Sequence, residues 1–127
     1  MQGQTGPYIQ NAFVRIRSIL RKAGIDNNLE GEIPGTYQMQ SIEKEIIQNI
    51  YHYRAVLEES LNKLDPSLVA NYAYGLAKAF HRFYHDCRIL KAETEALKLF
   101  RLTLCQATAG TLKKSMALLG MEMPEYM

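Results

Sequence analysis

The chain has 127 residues, of which 47% are apolar and 22% charged, with a formal net charge of +2. These proportions fit one globular domain over residues 1–127 with a core of its own. No apolar run approaches the roughly 18 residues needed to cross a bilayer, and the opening MQGQTGPYIQ has neither the basic head nor the apolar centre of a signal peptide. A membrane partner is therefore excluded and a cytoplasmic location expected.

In chain order, Pro7 is followed by Ile9, Ala12, Phe13, Ile16, Ile19, Leu20 and Ala23, the three-and-four spacing of an amphipathic helix. Thr5 is placed to cap its start and Gly24 to end it. Residues 26–37 carry DNN, EGE and PGT, a loop composition. From Ser41 the pattern resumes through Ile42, Ile46, Ile50, Tyr53, Leu57, Leu61 and Leu64, with Glu43, Lys44, Glu58, Glu59 and Lys63 outside. This predicts one long helix or two short ones broken near His52. Asp65 and Pro66 then read as an N-cap and a first helical position. The inner face of that helix is Val69, Tyr72, Leu76, Phe80, Phe83 and Cys87.

A last helix is predicted over 93–119, with Leu97, Phe100, Leu104 and Ala107 facing inward, Gly110 weakening its middle and Gly120 stopping it. No segment alternates with a strand's period. The fold expected is an all-α bundle of about five helices. Cys87 and Cys105 are too few for a disulfide framework and match no zinc spacing, so two buried reduced thiols are expected.

Residue chemistry points away from catalysis. The chain has no glycine-rich phosphate loop and no nucleophile, base and acid in register, so no catalytic residue is assigned. His81 and His85 have a spacing that can share a metal, but Cys87 falls on the other side of the helix and no second ligand cluster exists, so no metal site is assigned. Cations concentrate in two places: Arg15, Arg17, Arg21 and Lys22, then Lys78, Arg82 and Arg88. Basic clusters on a near-neutral chain suit an anionic partner, though solvated helix faces look alike. Eight tyrosines and no tryptophan add flat surfaces on which unstacked bases are read. Tyr53 and Tyr72 fall on apolar stripes and read as core. Tyr84 lies at the border between the inner face and the face of Lys78 and Arg82, where both a structural and a stacking role stand open.

Three stretches carry a resemblance: TGPYIQNAFVRIRSILRKAG (5–24), VANYAYGLAKAFHRFYHDCRIL (69–90) and KSMALLGMEMPEY (114–126), with Arg101, Leu102, Leu104 and Ala107 between the last two. In this order they resemble the C-terminal anticodon-binding, DALR-type domain of arginyl-tRNA synthetases. The resemblance implies a C-terminal fragment of a longer synthetase, non-catalytic alone, that recognises the anticodon loop of arginine tRNA rather than DNA. ATP and Mg would belong to the full-length enzyme, whose HIGH-like and KMSKS-like elements are missing here. No cofactor is expected in this fragment, and its other partner would be the catalytic domain of the same synthetase.

Carried over residue by residue, the resemblance assigns Tyr84 to a base pocket, Tyr8 to a second aromatic contact and Met127 to the pocket's edge. Arg17 and Arg82 are expected on the RNA backbone. Asn11 stands where the family has a second tyrosine and is placed to hydrogen-bond a base edge. Tyr126 stands where the family's P-E-R-M ending has arginine. The tail is expected to pack against the bundle through Met121, Met123 and Met127. The reading from another class is a helical protein-interaction module without RNA.

Overall fold

A computed structural model describes residues 5–24 and 33–125, which form five helices: α1 (Thr5–Lys22), α2 (Ser41–Tyr51), α3 (Tyr53–Lys63), α4 (Ser67–Asp86) and α5 (Glu95–Leu118). Among the described residues there is no strand. Helices α4 and α5 form the centre, with α1 packed across both and α2 and α3 against the other side of α4. α1 and α4 run in the same direction, because Tyr8 meets Tyr74 and Arg15 meets Tyr84.

The apolar stripes do what their spacing dictates. Ile9, Ala12, Phe13, Ile16, Ile19 and Leu20 of α1 are buried, as are Val69, Leu76, Phe80 and Phe83 of α4 and Cys87 after it. Alanines 73, 77 and 79 of α4 are buried too, small side chains at a face that two neighbours approach. Tyr53 and Tyr72 are half-buried with their rings 5.9 Å apart, and the Tyr72 hydroxyl donates to the Asn49 carbonyl. Both thiols are buried and free, and burial pushes Cys105 up to about 12.

α5 is buried on several sides, which its composition tolerates. The hydroxyls of Thr108, Thr111 and Ser115 donate to the carbonyls of Leu104, Ala107 and Thr111 one turn back, so these polar side chains sit in the interior without an unpaired donor. Ala107, expected inside, is exposed: the buried arc of α5 runs through Leu104, Cys105 and Thr108 instead. The helix passes through Gly110 unbroken. It begins at Glu95, two residues later than predicted, where the Thr94 hydroxyl accepts from the Leu97 amide.

The boundaries at α3 and α4 have local causes. The chain breaks at His52, as one of the two expected arrangements had it. Asp65 Oδ1 accepts from the Ser67 amide (3.0 Å) while Pro66 already has helical dihedrals, so the cap works as predicted although regular helix begins at Ser67. Leu61 and Leu64, expected on the inner stripe, are 65% and 87% exposed. The covered side of α3 runs through Val56, Leu57 and Ser60 instead, and beyond the helix Leu64 takes the left-handed conformation (φ 52°) that lets the Asp65 amide reach the Ser60 carbonyl. Gly120 performs the same task after α5 with φ 78°, the Met121 amide bonding the Met116 carbonyl at 2.9 Å. α1 already includes Thr5 rather than starting after it.

The largest correction concerns Glu43. Placed on the outer face by its charge, it is wholly buried, paired with Arg101 of α5 (Nε to Oε2, 3.0 Å). Its other oxygen accepts from the Tyr37 hydroxyl (2.5 Å) and the Gln40 amide (2.8 Å). Arg101 also donates to the Tyr37 hydroxyl (2.9 Å) and to the Arg88 carbonyl (2.6 Å). Burial opposes the Arg101 charge, but its bonds to Tyr37 and Glu43 outweigh that and raise its pKa.

Two stability outcomes follow. Glu43→Ala leaves a buried guanidinium without its carboxylate and is expected to cost about 3–5 kcal/mol in urea unfolding, while adding Arg101→Leu restores part of the loss. Leu64→Gly removes the steric cost of a left-handed Leu, about 1–2 kcal/mol, against the added chain entropy of glycine, about 0.5–1 kcal/mol. A gain of up to about 1.5 kcal/mol is therefore expected in the same assay. A destabilised Leu64→Gly would mean that the exposed side chain holds the α3–α4 corner.

Candidate nucleic-acid interface

Beside its apolar stripe α1 carries a second one. Tyr8, Asn11, Arg15, Ser18 and Lys22 recur at steps of three and four, so they share one face. That face lies beside α4 and lines a hollow of about 680 Å³ together with His81 and Tyr84. A second hollow, about 600 Å³, shares Ile19, Lys22 and Tyr84 and continues along the turn after α4, where Arg88 and Lys91 line it. Tyr84 stands between the two, 42% exposed.

The rigid parts of this groove are aromatic. Phe80 is buried beneath it, 6.2 Å from Phe83 and from Tyr84 between ring centroids. The Arg15 guanidinium lies over the Tyr84 ring, 4.7 Å from its centre. A base entering here either takes the place of that guanidinium on the ring or stacks on the guanidinium plane itself. Tyr8 is half-buried, with Tyr74 and His81 each 5.1 Å away at steep angles, so it forms a wall of the groove rather than an open platform. Burial first, then Tyr74, raises the Tyr8 phenol, while Arg82 draws it down. It stays a neutral hydrogen-bonding group at neutral pH.

The structure brings together Tyr8, Asn11 and Tyr84 of the expected set, and Asn11 is exposed on the groove. The expected backbone contacts differ. Arg17 is turned to the C-terminal tail, its Nε 3.0 Å from Glu125, with Arg21 also reaching that carboxylate at 3.5 Å. Arg82 is paired with Glu45 of α2. Each arginine is thus already partly neutralised by a carboxylate. The tail runs back along α1: Gln10 Nε2 donates to the Glu122 carbonyl (3.3 Å), and Met121 and Met123 pack on the core. Met127, together with Tyr126, lies outside the described residues.

Arg15, read from the sequence only as one of a basic cluster, lines the groove against Tyr84, and the signal for that was its place between Asn11 and Lys22 on the polar stripe begun by Tyr8. His81 and His85 do not converge on a metal. His81 leans on Tyr8 and Phe80, whereas His85 is 3.0 Å from Asp86. Among the described residues no three His, Cys, Asp or Glu side chains gather. Among the described residues no helix is long and apolar enough to cross a membrane.

Bundle and groove together define an all-α domain that displays aromatic rings and cations along one face. The chain belongs to the family of DALR anticodon binding domains, which it matches over residues 9–127. It is 42% identical over 126 residues to the arginine–tRNA ligase of Phocaeicola vulgatus and 44% identical over 127 residues to that of Streptococcus suis. These alignments cover 98% and 99% of this chain but only 21% and 22% of the two ligases. The arginyl-tRNA synthetase structure of Thermus thermophilus superposes with a TM-score of 0.82 at 32% identity, over 99% of this chain and 22% of that one. The chain thus spans about a fifth of the length of the curated relatives it matches.

One pH effect follows from the groove. Burial, then the nearby Arg15 charge, holds the His81 pKa below its ordinary 6.5 in the folded protein. As pH falls the unfolded chain takes up this proton first, so stability is full above about 6.5 and declines below it until the folded pKa is reached. Between about pH 7.5 and pH 5, the urea midpoint of the wild type is expected to drop more than that of His81→Gln. Parallel curves would remove His81 as the cause.

Proposed function

We propose that this chain is the anticodon-reading part of an arginine–tRNA ligase: it grips the anticodon loop of arginine tRNA and orients the acceptor end toward a catalytic domain. The carrying observation is Tyr84, half-supported by Phe80 and offered between two hollows, on a chain that belongs to the DALR family. Tyr84 and Arg15 supply stacking surfaces, while Tyr8 and Asn11 supply polar groups for a base edge. Arg17, Arg82 and Met127 are the further contacts, the two arginines exchanging Glu125 and Glu45 for phosphate. The middle anticodon base, a cytosine in most arginine anticodons, is the main determinant in this reading.

Aminoacylation with ATP and Mg belongs, on this proposal, to the rest of a longer cytoplasmic enzyme whose C-terminal portion this chain represents. No residue here is given a chemical step. The domain's work is positioning, which lowers the barrier elsewhere by fixing geometry. A protein-interaction reading has its own support at the far end of the bundle. There Leu61, Leu64 and Leu118 are exposed around a hollow of about 310 Å³. The two readings concern different surfaces.

The test is a titration of the protein with an arginine-tRNA anticodon stem-loop and with the same loop altered at its middle base. Tight binding to the first only is expected. Tyr84→Ala is expected to weaken it by about 1–3 kcal/mol, the worth of one stacked base, with helicity unchanged. Equal binding of both loops would leave the protein-interaction reading.

A further inference from the structure

The cations expected on phosphate are not the ones the structure leaves available. Arg17 and Arg82 each face a carboxylate, whereas Lys22, Arg88 and Lys91 are exposed and, among the described residues, have none within ion-pair distance. These three side chains come from two separate elements, the last turn of α1 and the turn after α4, yet they line one hollow. The acidic side chain on that hollow, Asp86, is turned to His85 at 3.0 Å. The position of the turn is fixed from below: Arg101 donates to the Arg88 carbonyl at 2.6 Å, while Cys87 and Ile89 are buried on either side. The backbone carrying Arg88 is thereby held to the core while its guanidinium reaches solvent.

We infer that Lys22, Arg88 and Lys91 form the phosphate track of the RNA site. The anticodon strand passes over Tyr84, with its bases in the hollow of Tyr8, Asn11 and Arg15 and its sugar–phosphate backbone against the three cations. This rests on the anticodon-reading assignment and names which surface of the same site carries the strand onward. The chemistry fits the division. Two lysine point charges and an arginine fork on the rim are suited to phosphate, and contacts to phosphate position a strand without reading it. Tyrosine, asparagine and a stacked guanidinium lie on the other side of Tyr84, where base edges and faces are read. The net charge of +2 does not show the track, because it averages these cations with others that sit beside carboxylates, Arg17 and Arg82 among them.

The experiment is a salt titration of stem-loop binding for the wild type, for the triple variant Lys22→Ala, Arg88→Ala, Lys91→Ala, and for Lys113→Ala, Lys114→Ala as a control on exposed α5 positions away from both hollows. Between about 50 and 200 mM salt, each single-strand phosphate neutralised contributes about −0.7 to the slope of log K against log salt. The triple variant is therefore expected to lose about 2 in slope and about tenfold or more in affinity at low salt, keeping its preference for the middle base. The control is expected to keep the wild-type slope, and far-ultraviolet circular dichroism checks that every variant folds. A triple variant with the wild-type slope overturns the track while leaving anticodon reading intact. A variant that keeps its slope but loses base preference assigns these residues to readout and overturns it equally. If the wild type itself fails to distinguish the two loops, the assignment falls and the track with it.

Discussion

The buried pair of Glu43 and Arg101 is the constraint on which the arrangement of this domain turns. Taking both charges out of water is costly, and their attraction offsets that cost only when the remaining lone pairs and protons also find partners. Here they do: no buried side-chain nitrogen or oxygen among the described residues lacks a hydrogen bond. The partners come from four separate places, the segment before α2 through Tyr37 and Gln40, α2 itself, α5, and the carbonyl of Arg88 after α4. Apolar packing tolerates small slides of one helix along another. A network of fixed bond directions does not, so this pair sets the register of α2 against α5 and the place where the chain leaves α4. Tyr84 and the cations around it are thus positioned by a charge pair that does not itself face the groove.

How much could be read beforehand depended on whether the cause was local. The stripes of α1 and α4 follow from a repeat of three and four, and nearly every residue on them went inside. The capping roles of Asp65 and Gly120 are also local, set by one side chain or one glycine. Glu43 was beyond that kind of reading, since a carboxylate among lysines and glutamates looks solvent-facing and its partner lies 58 residues away. Leu61 and Leu64 failed in the opposite sense: the covered side of α3 runs through Val56, Leu57 and Ser60, and the helix ends before Leu64. In the groove, Tyr8, Asn11 and Tyr84 were legible as chemistry. That Arg17 and Arg82 would be held by Glu125 and Glu45, 108 and 37 residues away, was not.

Pairing of this kind turns a nearly neutral sequence into a surface with direction. Exposed ion pairs such as Arg82 with Glu45 add little to stability. They nevertheless remove charge from one place and leave it in another, and recognition of an anion depends on that difference. An aromatic ring held by Phe80 on one side and covered by a guanidinium on the other is similarly prepared, because its orientation is fixed before a ligand arrives.

The packing of α1 against α5 carries a consequence for how the domain is made. The first helix of the sequence closes against the last, and the tail beyond α5 is tied back to it through Gln10, Arg17 and Arg21. On a ribosome α1 emerges long before α5 has been synthesised, and for that interval Ile9, Phe13, Ile16 and Leu20 have no complete surface to cover them. Contacts between distant parts of a chain are slow to form because the intervening loop must be closed first. The domain therefore cannot settle helix by helix during translation, and its final closure waits until α5 and the segment tied back to α1 have been made.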